Sequence, residues 1–454
     1  MMRAMSKPIA SLILAERSVP RYTSYPTAPH FSASVDGKLA AHWLRELPGS
    51  ASLSLYLHVP FCSAICNYCG CNTKAVRKEE PLDAYTETLL REIELMAKAT
   101  PARLVTDLHW GGGTPSLLGP ERLLRLWTRV SACFDISPDV EHSIELDPRT
   151  VDEALVEGLA KAGVTRASLG VQDLNDHVQV AIGRVQPFSI VENTVRLLRG
   201  VGIEAINLDL MYGLPHQSEA DVRRTAELAA SLDPSRLAIF GYAHVPWFKV
   251  HQKLIDAAAL PGAAERIAQA DAARDTLVKQ GFDAIGLDHF ARPDDPMAIA
   301  ARSGTLRRNF QGYTTDQADA LLPLGATSIG RLPQGYVQNA SDVAGWRRAV
   351  NAGKLGVVRG VAFTDEDRAR AAAIERLMCD FAVDYGTIAQ AYLGRLEALD
   401  DAAESLASLV DDGVVEVEGR SVTITEQGKP FMRLAAAAFD SYLKAGAARH
   451  SVAV

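Results

Sequence analysis

Four of the six cysteines in this 454-residue chain are crowded into a segment of ten residues. They are Cys62, Cys66, Cys69 and Cys71. Cys133 and Cys379 stand alone, far from any other cysteine in the sequence. Cysteines packed this closely are typical of a metal site in a reducing compartment, because a disulfide framework usually spreads its pairs through the chain. The sequence therefore predicts a metal centre in this loop and a cytoplasmic location.

The first three cysteines are separated by three and then two residues, a spacing that suits an iron–sulfur cubane with one open iron. Three thiolates from a short loop can bind three irons, whereas a cluster with four thiolates has every iron capped by protein. An open metal position can bind and polarise a substrate. A structural zinc site with Cys71 as fourth ligand is the alternative, although Cys69 and Cys71 are closer together than the usual cysteine pairs of zinc loops.

Two further segments carry residue types that suit a bound ligand. Gly111, Gly112 and Gly113 let the backbone approach a ligand without obstruction by a Cβ atom, although a tight strand-to-helix turn also explains such a run. Glu145 is the only acid in the run HSIEL, and an unpaired buried carboxylate is costly. We expect Glu145 to bind hydroxyl groups or a cation, with an ion pair to Arg149 as the alternative.

The elements that must position these residues alternate along the chain. From about residue 53, short β-rich apolar runs are followed by longer stretches whose apolar residues recur at three- and four-residue spacing. This order predicts an α/β fold with parallel strands and right-handed crossovers, a partial or complete (β/α) barrel of about six units. The motifs at the strand ends should then meet at one mouth. They are HVPFCSAICNYCGC, HWGGGTPS, IELDP, LGVQD and LDLMYGLP.

The end of the chain has a different pattern. Thr364 and Asp367 predict a capping box at the start of a helix, and VVEVEGRSVTIT predicts a β-hairpin around Gly419. Helix followed by hairpin suggests a mainly helical, winged-helix-like domain, whose acidic hairpin has the wrong charge for DNA contact. The predicted division is an N-terminal arm over the site at 1–49, the barrel at 50–300, a connecting segment completing the site at 301–360, and the helical domain at 361–454.

Charge and hydropathy exclude two broad classes of function. With 47 Lys and Arg against 55 Asp and Glu, the formal net charge is −8, which argues against sequence-independent binding to nucleic acid. No apolar stretch approaches the roughly 18 to 20 residues that span a bilayer. The apolar run at 8–15 is followed at once by Glu16 and Arg17, so we interpret it as a short amphipathic helix rather than a signal peptide.

The cysteine spacing, with Tyr68 just before Cys69, resembles the cluster motif of the radical S-adenosylmethionine (SAM) superfamily. The segment Thr114-Pro115-Ser116 resembles the part of that fold that meets the methionyl amino group. The resemblance implies a [4Fe–4S] cluster held by Cys62, Cys66 and Cys69. It also implies a SAM molecule chelated to the open iron and cleaved to a 5′-deoxyadenosyl radical.

Within that superfamily, most of the chain resembles the oxygen-independent coproporphyrinogen III oxidase family, also called the dehydrogenases. The specific segments are the arm PRYTSYPT at 20–27 and the motif RNFQGYTT at 308–315, which shorter haem-chaperone relatives generally lack. Other matching segments are HWGGGTP at 109–115, GVQD at 170–173, DLMYGLP at 209–215, YAH at 242–244 and DHFA at 288–291.

The family resemblance implies contacts to two SAM molecules. The positions implied for the SAM on the cluster are Tyr56, Gly112, Glu145 and Ile329. Those implied for a second SAM are Tyr68, Gly113, Thr114, Gln172, Arg184, Asp209 and Ala243. At three neighbouring positions this chain departs from the family pattern, with Gly183 and Gly241 in place of asparagine and Gly330 in place of serine. We expect these changes to alter SAM affinity or substrate fit.

The implied activity is oxidative decarboxylation of two propionates of coproporphyrinogen III to vinyl groups, giving protoporphyrinogen IX in anaerobic haem biosynthesis. A haem-binding chaperone-like relative, or a paralogue with altered substrate, is the alternative. Because the substrate is a tetra-anion, Arg21, Arg308 and the hydroxyl of Tyr22 are candidates for propionate contacts, with structural ion pairs as the alternative for the arginines. The resemblance also implies a reduced flavodoxin- or ferredoxin-type donor, and we expect a monomer.

Overall fold

A twelve-stranded sheet forms the centre of the structure, a computed structural model that describes residues 12–443. The described residues form nineteen strands, of which twelve belong to this sheet and the others to three small sheets. Numbered in chain order, they are β1 (Leu53–Val59), β2 (Phe61–Cys62), β3 (Lys74–Ala75), β4 (Leu104–Gly112), β5 (Asp135–Leu146), β6 (Arg166–Gln172), β7 (Ala205–Tyr212), β8 (Arg236–Gly241), β9 (Asp283–Ile285), β10 (His289–Ala291), β11 (Arg307–Asn309), β12 (Gly312–Thr314), β13 (Ala320–Leu324), β14 (Ile329–Leu332), β15 (Gly335–Asn339), β16 (Val357–Ala362), β17 (Ala382–Asp384), β18 (Val415–Glu418) and β19 (Ser421–Ile424).

Helices follow most of the central strands. They are α1 (Gly37–Arg45), α2 (Glu79–Ala99), α3 (Gly119–Cys133), α4 (Glu153–Lys161), α5 (Asp176–Ala181), α6 (Phe188–Gly200), α7 (Glu219–Ser231), α8 (Ala263–Lys279), α9 (Pro296–Ser303), α10 (Val343–Asn351), α11 (Asp365–Asp380), α12 (Tyr385–Leu393), α13 (Ala402–Asp411) and α14 (Met432–Ala437). Residues 12–16 are also helical, and the rest of the predicted helix at 8–15 lies outside the described residues. Within residues 12–443, no helix has both the length and the apolar character to cross a bilayer.

The predicted α/β architecture is confirmed. Seven neighbouring strands, in the order β13, β1, β4, β5, β6, β7 and β8, are all parallel. Strand β1 is buried along nearly its whole length, as expected of a strand covered on both faces. In the described part of the chain the strand order runs from β16 to β9 without closing, so the sheet is a partial barrel.

Residues 301–360, for which we expected a connecting segment, carry strands of the same sheet. Strand β13 pairs parallel to β1, with Leu322 opposite Leu55, and β14, β15 and β16 follow as antiparallel neighbours. These strands have four to six residues. Most of them are joined by short turns rather than helices, so they do not continue the long strand–helix period on which the prediction rested.

The C-terminal region is built as its sequence pattern predicts. The side chain of Thr364 accepts a hydrogen bond from the backbone N–H of Asp367, whose carboxylate accepts one from the N–H of Thr364, which completes the capping box of α11. Strands β18 and β19 form the predicted hairpin, and β17 pairs with β19. The N-terminal arm packs against this region, because Tyr22 and Tyr25 belong to the same apolar core as its helices.

Candidate active site

The cysteine loop, residues 62–71, follows the carboxyl end of β1 and contacts two threonines and two arginines. Cys62, in β2, accepts a hydrogen bond from the hydroxyl of Thr114 (3.4 Å) and lies 3.2 Å from the hydroxyl of Thr73. The buried sulfur of Cys66 lies 3.7 Å from Arg149 Nη2 and 3.6 Å from Arg184 Nη1. The sulfurs of Cys62 and Cys66 thus lie among hydrogen-bond donors, in a loop whose cysteines can bind a metal.

The fourth cysteine contacts the third rather than standing apart. The backbone N–H of Cys71 donates to the sulfur of Cys69 (3.4 Å). Hydrogen bonding from Cys71 lowers the pKa of Cys69 to about 6, and the same contact raises the pKa of Cys71 well above its usual value. Burial raises the pKa of Cys62. Of these thiols, Cys69 is therefore the one most readily ionised.

The glycine run at the end of β4, Gly111 to Gly113, leaves no room for side chains; we call it the glycine wall. Gly112 has φ of +120°, a conformation that other residues rarely adopt. A Cβ atom on Gly113 would lie 2.4 Å from the hydroxyl oxygen of Thr73 and 2.5 Å from the carbonyl oxygen of Phe61. The run is thus required for the close approach of β4 to the cysteine loop.

Glu145 is held beside this wall by neutral and ionisable donors. Its carboxylate accepts a hydrogen bond from the backbone N–H of Gly112 (3.0 Å) and lies 3.3 Å from Nε2 of His109. The alternative ion pair with Arg149 is wrong, because Arg149 pairs with Asp147 at 2.6 Å. Glu145 therefore lines the cavity at the carboxyl ends of the strands, where its carboxylate can accept hydrogen bonds from a ligand.

Arg184 lies beneath the cysteine loop and is already bonded on two sides. Its Nη2 donates to the carbonyl oxygen of Gly170 (2.6 Å) and lies 3.1 Å from Asp147. Its Nε is buried with no hydrogen-bond partner among the described residues. Burial favours a higher pKa for Asp147, but the hydrogen bond from Arg149 and the charge of Arg184 hold that pKa below its usual value.

Asp209 and Gln172 come from the next strands of the sheet. Asp209 accepts a hydrogen bond from the hydroxyl of Ser168 (3.0 Å), and burial raises its pKa to about 6. Gln172 ends β6 with φ of +70°, a backbone conformation that costs of order 1–3 kcal/mol for a residue other than glycine. Such strain at a strand end is common where a side chain must be aimed at a ligand.

Nine of the eleven predicted SAM residues line one cavity of about 440 Å³ together with the four cysteines. They are Tyr68, Gly112, Gly113, Thr114, Glu145, Gln172, Arg184, Asp209 and Ala243. Tyr56 and Ile329, although both are described, do not line it. The hydroxyl of Tyr56 lies 2.9 Å from Nδ1 of His58, and Ile329 begins β14 opposite Gln338. We call this space the cysteine cavity; its size is in the range that binds cofactors.

A second cavity, the arginine cavity, adjoins the first. Arg21 and Arg308 line it with Asp288 and Arg433, and Arg21, Gly241 and Tyr242 line both cavities. Nε and Nη1 of Arg308 are buried with no hydrogen-bond partner among the described residues. Its guanidinium stacks 4.3 Å from the ring of Tyr313.

The third substrate candidate lies elsewhere. Tyr22 is 4% exposed, and its hydroxyl donates to the carboxylate of Asp440 (3.0 Å). Burial, reinforced by the charge of Asp440, raises the pKa of Tyr22. Tyr22 therefore anchors the N-terminal arm to the C-terminal region, and the structure does not bring its hydroxyl into the arginine cavity.

Sequence reasoning missed three residues that hold the cysteine loop from outside. Lys249 Nζ donates to the carbonyl oxygen of Cys71 (2.9 Å), His251 Nε2 lies 2.7 Å from the carbonyl oxygen of Cys69, and Gln252 Nε2 donates to that of Tyr68 (2.8 Å). They follow β8 by several residues and belong to no strand-end motif. Their contacts span about 180 positions, so no local pattern could have indicated them.

The three glycines that depart from the family pattern lie at close contacts. Gly183 has φ of +65°, and a Cβ there would lie 3.0 Å from the side chain of Asn67. A Cβ on Gly241 would lie 2.9 Å from the hydroxyl of Tyr212, and one on Gly330 would lie 2.6 Å from the carbonyl oxygen of Leu321. In this chain the neighbouring atoms at each of these positions leave too little room for a side chain.

Comparison with known proteins finds relatives along nearly the whole length. The radical SAM superfamily matches residues 56–229. An oxygen-independent coproporphyrinogen III oxidase from Bradyrhizobium diazoefficiens is 47% identical over 440 residues, which cover 97% of this chain and 98% of that protein. One from Escherichia coli K12 is 37% identical, covering 94% of this chain and 93% of that protein. The solved structure of E. coli coproporphyrinogen III oxidase, a radical SAM enzyme, aligns with a TM-score of 0.89 and 36% identity over 93% of this chain and 97% of that chain.

Proposed function

The chain belongs to the oxygen-independent coproporphyrinogen III oxidases of the radical SAM superfamily, and on that premise we propose that it decarboxylates two propionates of coproporphyrinogen III to vinyl groups. The product is protoporphyrinogen IX, an intermediate of haem biosynthesis. The observation that carries the proposal is the convergence of the three cysteines and the strand-end residues on the cysteine cavity. Family membership implies a [4Fe–4S] cluster and SAM as cofactors.

We assign the cluster to Cys62, Cys66 and Cys69. The donor set fits the group, because Cys62, Cys66 and Cys69 line one cavity, with Cys71 bonded to Cys69, and basic side chains flank the sulfur of Cys66. When bound, the cluster and SAM supply the radical chemistry that removes hydrogen from an unactivated propionate carbon, which acid and base side chains cannot do. A structural zinc site would not supply that radical chemistry, so we propose the iron–sulfur cluster rather than zinc.

Glu145 and the glycine wall are the proposed binding site for the polar groups of SAM on the cluster. The carboxylate of Glu145 can accept from hydroxyl or ammonium donors, and the backbone of Gly112 can approach the ligand closely. Tyr56 and Ile329 do not line the cavity, so we propose that they position its neighbours. Tyr56 contacts His58 through its hydroxyl, and Ile329 begins β14, the strand next to β13.

A second SAM is proposed at the side of the cavity formed by Arg184, Asp209 and Gln172. The buried Nε of Arg184 offers one donor that no described residue uses. Asp209 can accept from ribose hydroxyls. Because Arg184 is also bonded to Asp147 and Gly170, a ligand carboxylate there must share the guanidinium with them.

The arginine cavity is the proposed site of a substrate propionate. Arg21 reaches both cavities, so a substrate held there can present another propionate to the cysteine cavity. Nε and Nη1 of Arg308, which have no partner among the described residues, can each donate a charge-assisted hydrogen bond to a carboxylate oxygen. A reduced flavodoxin- or ferredoxin-type donor, a monomeric state and a cytoplasmic location stay predictions from the sequence.

The proposal is tested by anaerobic reconstitution with iron and sulfide, followed by reductant, SAM and coproporphyrinogen III. We expect 5′-deoxyadenosine and protoporphyrinogen IX to appear together. Formation of 5′-deoxyadenosine without vinyl product would keep the superfamily chemistry and reject the substrate.

The substrate site is tested separately with Arg308→Met, and Arg307→Met is the matched control because Arg307 is exposed and paired with Glu375. Loss of a charge-assisted hydrogen bond should raise the KM for the porphyrinogen about tenfold to a hundredfold in the first variant only. Arg21→Ala should also raise it. An unchanged KM in either would remove that arginine from the substrate site.

A further inference from the structure

Large apolar side chains are exposed on two sides of the cysteine loop. We call them the apolar face; they are Val180, Val185, Trp247, Phe248, Val250 and Leu254. Each is more than half exposed. Single exposed apolar residues are ordinary on protein surfaces, but a group of them around one loop is typical of an interaction site.

The apolar face is tied to the backbone of the cysteine loop on both sides. On one side, the segment that carries Trp247, Phe248, Val250 and Leu254 also carries the three residues that bond the carbonyl groups of the loop: Lys249, His251 and Gln252. Gln252 is 1% exposed and also accepts from the backbone N–H of Val245, so it fixes the segment from within.

On the other side, Val180 and Val185 bracket a backbone contact to the loop. The N–H of Asn67 donates to the carbonyl oxygen of Ile182 (3.0 Å). The tip of the loop, at Gly70 and Cys71, is itself exposed. The apolar face therefore lies on two segments that are bonded to the loop carrying the proposed cluster ligands, and the tip of that loop is exposed.

Exposed basic residues neighbour the cysteine loop and this face in sequence, and we call them the basic rim, although the whole chain carries a net charge of −8. Lys74, Arg77 and Lys78 follow the cysteine loop directly and are exposed, as is Lys253 beside Leu254. The exposed acids nearest in sequence to the face and these basic residues are Glu79, Glu80, Asp176 and Asp256; Glu79 pairs with Arg122, and Asp256 accepts from the N–H of Ala258. An acidic partner is repelled by the chain as a whole and attracted here.

We propose that the apolar face and its basic rim are the docking site for a small, acidic protein that carries one low-potential electron, of the flavodoxin or ferredoxin class. This inference rests on the proposed radical SAM function. The donor is oxidised by one electron and the cluster is reduced by one, with no bond made or broken. Docking here brings the redox group of the donor against the loop whose sulfurs bind the cluster.

An anionic membrane surface is the other class of partner that exposed aromatic and lysine residues can fit. The structure favours the protein donor, because both segments that carry the exposed residues are bonded to the cysteine loop, one of them through the carbonyl oxygens of Tyr68, Cys69 and Cys71. A membrane-binding surface has no reason to coincide with that loop.

The test compares two reductants on the reconstituted holoenzyme, light-reduced flavodoxin and dithionite, with 5′-deoxyadenosine formation as the readout. The variants are Leu254→Ser and Lys253→Glu, because neither side chain is among those that bond the carbonyl groups of the loop. Val278→Ser and Lys279→Glu are the matched controls, both exposed at the end of α8. We expect each docking variant to lower the flavodoxin-dependent rate at limiting donor about tenfold, with the dithionite-dependent rate unchanged.

Three results would overturn the proposal. One is equal flavodoxin-dependent rates in the docking variants and their controls. Another is dithionite-dependent turnover with no support from flavodoxin or from a plant-type ferredoxin. The third is binding to phosphatidylglycerol vesicles that Leu254→Ser abolishes while the flavodoxin rate stays intact. Absence of turnover with either reductant would instead contradict the proposed function.

Discussion

Glu92 in α2 is a buried carboxylate on which the turn after β13 depends, and its replacement by leucine gives the sharpest test of the packing behind the site. It is 0% exposed. Its carboxylate accepts from the backbone N–H of Gly325 (2.5 Å), the side-chain amide of Asn339 (2.8 Å) and the indole N–H of Trp346 (2.8 Å). Glu92→Leu removes all three acceptor contacts at similar side-chain volume.

The size of the effect follows from the donors left behind. Asn339 keeps hydrogen bonds to Gly325 and Ser328, but the N–H groups of Gly325 and Trp346 lose the acceptor that the structure gives them. A buried donor left unpaired costs about 1–3 kcal/mol, so the variant should be less stable by about 2–6 kcal/mol at low pH.

The loss of stability caused by Glu92→Leu should become smaller as the pH rises. Burial raises the pKa of Glu92 from 4.5 to about 7, even though its three donors act to lower it. A raised carboxyl pKa means that wild-type stability is full below pH 4.5 and is partly lost as pH rises to 7, by about 3 kcal/mol in all. The leucine variant lacks this loss, so between pH 5 and 8 the difference in stability should narrow by about 2–3 kcal/mol.

Urea denaturation of the cluster-free protein, followed by circular dichroism at several pH values, measures this difference. The matched control is Glu87→Leu on the same helix, where an exposed carboxylate pairs with Arg125 and the change should stay within about 0.5 kcal/mol. A difference that widens with pH would mean that the three donors outweigh burial, and it would refute the reasoning.

The defect should also reach the active site, because the same turn supports β1. The hydroxyl of Tyr85 donates to the carbonyl oxygen of His58 (2.6 Å) and accepts from the N–H of Ala326 (3.0 Å). We therefore expect Glu92→Leu, but not Glu87→Leu, to lower 5′-deoxyadenosine formation by the reconstituted enzyme.

Three further predictions test the glycine departures, the fourth cysteine and the C-terminal region. Gly330→Ser should lower stability by about 1–3 kcal/mol, because its Cβ would lie 2.6 Å from the carbonyl oxygen of Leu321; an unchanged melting temperature would contradict this. Cys71→Ser should keep the iron and sulfide content of the wild type while Cys66→Ser loses it, and equal losses would indicate four-cysteine ligation. Thr364→Ala should cost about 1 kcal/mol by thermal denaturation, and Thr364→Ser should restore most of it.

The sequence predicted best what is encoded locally and repeatedly. The apolar runs that became β1 and β4 to β8 are each followed by a helical pattern, so their parallel order and shared mouth could be inferred. The short strands β10 and β13 to β16 could not, because they carry no helix-following period. Strands β14 to β16 join the sheet only through β13, which pairs with β1 far away in sequence. The strand predicted from residue 142 also begins earlier, at Asp135.

The same division holds within the candidate site. Residues at strand ends, such as Glu145 and Asp209, were predictable because the fold itself gathers them. The partner of Arg149 was not, because Glu145 and Asp147 both lie within a few residues and only the folded geometry selects Asp147. Gln252 was missed for a further reason: a buried glutamine that bonds two backbone carbonyls has no sequence signature.

The contacts of the N-terminal arm give the C-terminal region a role in the site. Arg433, on α14, donates to the carbonyl oxygens of Val19 (2.5 Å) and Pro20 (3.1 Å), so it holds the arm on the residues just before Arg21. Arg21 Nη2 in turn donates to the carbonyl oxygen of Gly241 at the end of β8, between the two cavities. The C-terminal region thus positions the arm that carries Arg21, a role that needs no contact with nucleic acid, for which its acidic hairpin is unsuited.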